Sequence, residues 1–190
     1  MEIVQSNREQ ALREFFMRTA AKRKSLLCIT NENLAVIYSM TGRHFNRVYC
    51  LANNIPIIPL GHTGGTIVLN NGDIGFGLIW DKRNDWLKGL RTFIAEKLGN
   101  RGINATVNKN DILINGKKVC GTATMTKGGM HISCLFFAVQ NSLELVKNIC
   151  FKKMVKEPTS LSEYGVISDE INRLVVDFTS QWQAEGKCTT

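Results

Sequence analysis

The sequence predicts an α+β fold, with mixed β-sheets flanked by helices, and two observations support this class. Short apolar segments of strand character alternate with turns rich in Asn and Gly through much of the chain. Apolar residues recur at helical spacing between residues 86 and 98. A chain of 190 residues can bury one sizeable core, so we expect a single domain over residues 1–190.

The first half of the chain is predicted to form one helix and several strands. Residues 7–23 carry an apolar helical face, and Ser6 or Asn7 is placed to cap this helix. Ile55–Leu60 contains prolines, which suit an edge strand better than the middle of a sheet. Residues 46–53 fit a short helix or a loop. Strands are expected at residues 25–30, 34–39, 66–69 and 74–80, with a loop at residues 61–65.

The second half of the chain is predicted to contain three helices and a run of strands. The amphipathic segment at residues 86–98 is followed by Gly99, which is typical of a helix end. Ser168 precedes Asp169 and Glu170, and this pattern predicts an N-cap and the first turn of a final helix. A short helix is expected at residues 142–150, and strands at residues 104–108, 111–115, 118–126 and 130–139.

Bulk composition excludes some classes of protein. No apolar run approaches the roughly 20 residues that span a bilayer, and the N-terminus lacks the pattern of a secretory signal, so we expect a cytoplasmic protein. The six cysteines contain no Cys-x-x-Cys pair, so zinc-ligand spacing is absent. Cys120 and Cys134 fall within predicted strands and are expected in the core. The net charge of +8 favours anionic partners, but the sequence contains no recognisable nucleic-acid-binding motif.

One predicted hairpin carries the strongest functional signal. Asn115 and Gly116 fit a two-residue turn between strands, and Lys117 and Lys118 begin the return strand. Because side chains alternate between the faces of a strand, one lysine can point into a pocket while the other stays in solvent. An inward lysine suits a phosphate or an acyl carbonyl. A surface hairpin with two solvated lysines is the plainer alternative.

Four motifs follow one another along the chain. Residues 7–16 read Asn-Arg-Glu-Gln-Ala-Leu-Arg-Glu-Phe-Phe, and residues 62–69 read His-Thr-Gly-Gly-Thr-Ile-Val-Leu. Residues 110–121 fit Asn-Asp-Ile-x-x-Asn-Gly-Lys-Lys-Val-x-Gly, and residues 128–133 read Gly-Gly-Met-His-Ile-Ser. In order and spacing, these segments resemble the superfamily of lipoate and biotin protein ligases and octanoyltransferases, most nearly the lipoate–protein ligase catalytic domain.

The resemblance implies a ligase-like catalytic domain without a separate C-terminal accessory domain. Lys118 matches the lysine that contacts the acyl carbonyl and phosphate in the ligases, and Asp111 would orient it or help to hold Mg²⁺ near the phosphates. The residues expected to bind the acyl chain and its adenylate are Arg43, His62, Thr63, Gly64, Gly65, Thr66, Asn110, Gly121, Thr122, Ala123 and His131.

Most of these positions also have a plainer interpretation. Paired glycines such as Gly64-Gly65 are common in turns, although they also let the backbone approach a ligand closely. Asn110 with Asp111 can simply form a turn, and His131 can be structural. The sequence departs from the family where an arginine pair is usual, because Gly61 and His62 stand there.

Cys150 is a possible nucleophile. It lies thirty-two residues after Lys118, close to the offset of the catalytic cysteine in octanoyltransferases. A thiolate near a lysine would have a lowered pKa and could carry an acyl thioester. Those enzymes have Pro-Cys-Gly, whereas this chain has Ile149-Cys150-Phe151, and burial on a helix explains the cysteine equally simply.

Three functions are compatible with the resemblance. The first is a ligase that uses ATP and Mg²⁺ to convert lipoate, biotin or octanoate into an acyl-adenylate and then acylates a lysine of an acidic lipoyl or biotinyl domain. The Asn110-Asp111-Ile112 motif favours it. The second is an acyltransferase that uses Cys150 and Lys118 with acyl carrier protein and no ATP. The third is an inactive relative that binds a ligand or partner. The sequence does not determine the acid, the acceptor or the oligomeric state.

Overall fold

The computed structural model describes residues 2–7, 10, 14, 17–30, 35–39, 45–60, 66–81, 85–140, 143–150 and 156–185. Its strands are β1 (Glu2–Asn7), β2 (Ser25–Thr30), β3 (Ala35–Ser39), β4 (Ile57–Leu60), β5 (Ile67–Leu69), β6 (Ile74–Trp80), β7 (Ala105–Asn108), β8 (Asp111–Ile114), β9 (Lys117–Lys127) and β10 (Met130–Phe137). Residues 17–20 are helical, and the later helices are α1 (Arg47–Ala52), α2 (Trp86–Gly99), α3 (Leu143–Ile149) and α4 (Ser168–Ala184), with a 3-10 helix at Leu161–Tyr164.

The strands form two mixed sheets. The large sheet has seven strands in the order β1-β2-β6-β10-β9-β8-β7, and the small sheet has the order β4-β3-β5. In the large sheet β1 runs parallel to β2, and the remaining pairs are antiparallel. In the small sheet β3 pairs parallel with β4 and antiparallel with β5. The predicted α+β class with mixed sheets and flanking helices is therefore confirmed.

The large sheet buries apolar side chains on both of its faces. On one face, helices α2 and α4 pack over a core that includes Leu78, Trp86 and Leu135. On the other face, Leu69 of the small sheet packs against a cluster that includes Phe136. Every residue of β6 is buried, as expected for a strand covered on both sides. We call these two sides the helix face and the inter-sheet face.

Most predicted elements agree with the structure. The helix predicted at residues 86–98, the strand at residues 74–80 and the edge strand within residues 55–60 are confirmed. The ambiguous segment at residues 46–53 is a helix, and Asn46 caps it by accepting a hydrogen bond from the Tyr49 amide at 2.9 Å. Cys120 and Cys134 are buried, as predicted.

Three predictions about helix ends are wrong. Residues 17–20 are helical, but the chain turns before residue 23, and Lys22 has a positive φ of 50°. Ser6 and Asn7 belong to strand β1. Ser168 begins the last helix but does not cap it, because its hydroxyl donates to the carbonyl of Gly72 at 2.6 Å. A tertiary contact thus takes the hydroxyl that the local pattern had assigned to a cap.

Candidate active site

A cavity of about 700 Å³ lies between the two sheets. Strand β5 contributes one wall, and strands β8, β9 and β10 contribute the other. Its apolar lining includes Ile67, Leu69, Phe136 and Val146. Its charged lining consists of Lys109, Asp111, Lys118 and Lys156 within the described part of the chain. The cavity therefore combines a surface for an aliphatic group with a strongly positive polar region.

Asp111 holds two lysines at this cavity. Its Oδ1 lies 2.8 Å from Lys118 Nζ, and its Oδ2 lies 2.9 Å from Lys156 Nζ. The Asp111 side chain is only 19% exposed, so both pairs are partly shielded from solvent. The three groups carry one net positive charge, which suits a bound oxyanion.

A β-bulge places Lys118 beside Asp111. In the hairpin, Asp111 pairs directly with Gly121, so these two residues share a face of the sheet. The register shifts by one residue at Val119, because Lys118 and Cys120 pair with consecutive residues of β8. That extra residue reverses the alternation and brings Lys118 onto the face of Asp111 and Gly121. The turn itself is the predicted two-residue type with two positive φ angles.

The segment after helix α3 supplies Lys156. Lys118 donates its amide to the Glu157 carbonyl at 2.7 Å and accepts from the Thr159 amide at 3.0 Å. These two bonds align the segment with the start of β9 and bring Lys156 to Asp111. No sequence motif marked Lys156, since its role depends on pairing with a strand about forty residues earlier.

The two hairpin lysines have similar solvent exposure but form ion pairs with different residues. Lys117 is 44% exposed and Lys118 is 41% exposed. Lys117 pairs loosely with exposed Glu157 at 3.6 Å and does not line the cavity. Lys118 lines the cavity and pairs with Asp111. Lys117 is therefore a natural control for Lys118.

The local charges determine the ionisation of Asp111. Burial would raise the pKa of Asp111, but hydrogen bonds and charge attraction from Lys118 and Lys156 outweigh it and lower the pKa below its ordinary value. Asp111 is therefore ionised at neutral pH, and each of its oxygens is paired with an ammonium group. This geometry supports a role in positioning lysines more than in holding Mg²⁺.

Cys150 lines the same cavity as Lys118. Burial raises the pKa of the Cys150 thiol, and the nearby Cys50 raises it further. The direction is opposite to that of an activated thiolate. Burial also raises the pKa of Cys120, another residue of the cavity wall, to about 12.

The other predicted site residues fall into three groups. Thr66 and Gly121 line the inter-sheet cavity. A different cavity is lined by Asn110, Thr122, Ala123 and His131. The remaining predicted residues lie outside the described part of the chain and are Arg43, His62, Thr63, Gly64 and Gly65.

Within the described part of the chain, no group of three or more His, Cys, Asp or Glu side chains is arranged to hold a metal ion. None of the helices in this part of the chain has both the length and the apolar character needed to cross a bilayer.

Known proteins share this fold. Lipoate-protein ligase A bound with ATP matches with a TM-score of 0.79 at 15% identity, over 95% of this chain and 83% of that one. The bi-partite lipoate protein ligase studied with its E2 lipoyl domain from Thermoplasma acidophilum gives 0.76 at 16% identity, over 95% and 82% of the two chains. Biotin protein ligase from Aquifex aeolicus in complex with biotin and ATP gives 0.60 at 14% identity, over 100% and 73%.

Sequence comparison places the chain in a family. No curated protein matches the sequence. The family model of the lipoyl protein ligase A/B catalytic domain matches residues 6–179, which is most of the chain. The structural matches at low identity agree in fold with that assignment. This chain therefore belongs to the lipoyl protein ligase A/B catalytic domain family.

Proposed function

We propose that this protein is an ATP-dependent protein ligase that activates lipoate or a related carboxylic acid and transfers it to a lysine of an acceptor domain. The observation that carries the proposal is the Lys118–Asp111–Lys156 cluster on a cavity whose other walls are largely apolar. An aliphatic acid fits the apolar walls, and the ammonium groups suit its carboxylate and a phosphate.

The first half-reaction would join the acid to AMP. A carboxylate oxygen attacks the α-phosphorus of ATP, a new O–P bond forms, and the bond to the β-phosphate oxygen breaks to release pyrophosphate. Lys118 and Lys156 would stabilise the negative charge on the α-phosphate as it is transferred. Asp111 holds both ammonium groups in place before the substrates bind, which reduces the reorganisation needed for catalysis.

The second half-reaction would transfer the acyl group. The amine of an acceptor lysine attacks the acyl carbonyl, the C–N bond forms, and the C–O bond to AMP breaks. The acceptor amine loses one proton to solvent in this step. The net charge of +8 favours docking of an acidic acceptor domain. The match to a lipoate ligase studied with its E2 lipoyl domain supports an acceptor of that class.

A transferase is the second candidate, because Cys150 lies on the same cavity wall as Lys118. The Cys150 thiolate would attack the acyl thioester of an acyl carrier protein, so that a new C–S bond forms as the carrier's C–S bond breaks and the carrier thiol is released. The raised pKa of the Cys150 thiol argues against it, since few thiolates would be present at neutral pH.

The decisive experiment measures pyrophosphate release with ATP, Mg²⁺ and lipoate, octanoate or biotin in turn. We expect one acid to support release, and we expect Lys118→Ala to slow it by about a hundredfold or more. Lys117→Ala is the matched control, because Lys117 is equally exposed but does not line the cavity, and it should change the rate less than about threefold.

Three results would overturn the proposal. The first is release that Lys118→Ala leaves unchanged. The second is a mass gain from octanoyl-carrier protein that Cys150→Ser abolishes, which would establish the transferase. The third is no reaction with any acid or carrier, which would favour a relative that only binds a ligand or partner.

A further inference from the structure

A second cavity, of about 650 Å³, lies on the helix face of the large sheet. Residues that pair directly in neighbouring strands point to the same face of the sheet. A cavity residue that pairs with a known helix-face residue therefore lies on the helix face. Ser133 pairs with Leu78, and Thr122 pairs with Leu135; Leu78 and Leu135 both belong to the core beneath α2 and α4. This cavity is therefore separated by the sheet from the cavity that holds Lys118.

The floor of the second cavity is polar where a helix-covered strand face is normally apolar. Thr122, Thr124 and Thr126 occupy alternate positions of β9 and all line it. Ser133 and His131 stand opposite the last two threonines on β10. Such a row of hydroxyls beside an imidazole can hydrogen-bond a polar ligand.

Arg91 of helix α2 is the buried charge of this cavity. It is only 7% exposed, and its Nη1 donates to Thr122 Oγ1 at 3.1 Å. Within the described residues, Arg91 Nε has no hydrogen-bond partner and no carboxylate forms an ion pair with the guanidinium. Burial lowers the pKa of Arg91, in keeping with a cation that has lost solvent.

A buried guanidinium with a free donor is costly unless a ligand or water completes its hydrogen bonds. Its Nε and Nη donors form a planar fork that matches the oxygens of a carboxylate or phosphate. Asp85 and Lys88 lie exposed on the cavity wall and offset each other, so Arg91 provides the net positive charge.

We propose that this second cavity binds a small molecule through a carboxylate or phosphate group seated on Arg91 and the threonine hydroxyls. The site is separate from the proposed ligase site and does not depend on ligase activity. Thr122, which accepts a hydrogen bond from Arg91, also donates from its Oγ1 to the Asn110 carbonyl at 2.9 Å. Because Asn110 precedes Asp111 in the chain, Arg91 variants can disturb catalysis indirectly. The test therefore measures binding.

The experiment titrates inorganic phosphate into protein carrying Lys118→Ala and Lys156→Ala, which removes the two lysines that pair with Asp111 in the inter-sheet cavity. Binding is read from the His131 imidazole resonance, assigned with His131→Gln, at constant pH and with chloride to hold the ionic strength constant. We expect a saturable shift with roughly millimolar affinity. A parallel titration with acetate separates carboxylate from phosphate recognition.

Two variants test the role of the cavity. In the same background, Arg91→Gln should weaken binding by about tenfold or more. Lys88→Ala on the exposed wall should weaken anion binding about twofold to threefold. If Arg91→Gln does not fold, the Lys88→Ala result tests the proposal in its place. Lys97→Ala is the matched control, because Lys97 is exposed on the same helix but lies outside the lining.

The proposal fails if the His131 shift is linear and unsaturable with both anions. It also fails if binding persists unchanged in folded Arg91→Gln, or in Lys88→Ala when Arg91→Gln is unfolded.

Discussion

At the scale of residues, Asp111 organises the candidate active site. It joins Lys118, from the opposing strand of its own hairpin, to Lys156, from a distant segment. Burial alone would favour the neutral acid, but the two ammonium groups keep Asp111 ionised. A single carboxylate thus positions two cations that would otherwise repel each other.

Gly121 provides a test of the position of Lys118. A Cβ at Gly121 would lie 3.1 Å from Lys118 Nζ and 3.2 Å from its Cε, which is tighter than ordinary contact. We expect Gly121→Ala to shift the ammonium by a few tenths of an ångström and to slow pyrophosphate release about tenfold. The free energy of unfolding should change by less than about 1 kcal/mol, because the lysine end is flexible. Wild-type turnover in this variant would contradict the position of Lys118.

At the scale of elements, helices α2 and α4 pack closely because Gly89 has no side chain. The ring of Phe178 lies with its centroid 5.3 Å from Trp182 and 5.3 Å from Phe93. A Cβ at Gly89 would lie 2.8 Å from Phe178 Cζ and 2.8 Å from Trp182 Cζ3. The aromatic cluster therefore occupies the space that any other residue at this position would need.

This packing predicts that Gly89→Ala destabilises the protein. Helix propensity alone would favour alanine by about 1 kcal/mol. Overpacking against two aromatic rings should outweigh that gain, with a net loss of about 1–2 kcal/mol measured by urea unfolding. The matched control is Gly99→Ala at the end of the same helix, where a Cβ meets nothing within 4 Å, and it should be neutral or stabilising. Equal stabilisation by both changes would refute the packing argument.

At the scale of the whole molecule, the large sheet separates two different cavities. The inter-sheet cavity contains Lys118 and Asp111, and the helix-face cavity contains Arg91 and His131. Residues next to one another in β9 face opposite sides, so Gly121 and Thr122 belong to different cavities. One strand thus supplies side chains to two chemically distinct surfaces.

The stability of the molecule should depend on the ionisation of Asp111. Its folded-state pKa lies below the ordinary 3.8, so the carboxylate contributes stability that is fully present above that value and is lost as pH falls through the folded pKa. We expect Asp111→Asn to cost about 1–3 kcal/mol near neutral pH. Urea unfolding at a series of pH values should show the difference from wild type shrinking below about pH 4.

Asp177→Asn is the control for this pH series. Asp177 is exposed on α4, and its substitution should change the free energy of unfolding by less than about 0.5 kcal/mol. A cost for Asp111→Asn that stays constant as pH falls would contradict the charge pairing.

Features that depend on nearby residues could be predicted from the sequence. The apolar period of α2, the proline-bearing edge strand β4 and the Asn115-Gly116 turn all follow from local rules, and the structure confirms them. The local rules failed at Ser168, whose hydroxyl bonds the backbone of a distant turn. They also failed at β1, an edge strand that is held by parallel pairing with β2.

The sequence by itself determined the mixed α+β class, the family motifs and the choice of Lys118 as the lysine to test. Only the tertiary structure brought Lys156 to Asp111, and only the bulge at Val119 turned Lys118 onto the same face. It also divided the predicted binding residues between two sides of the sheet. The physical reason is that turns and amphipathic periods depend on residues a few positions apart, whereas strand register, bulges and long-range pairing depend on contacts between distant segments.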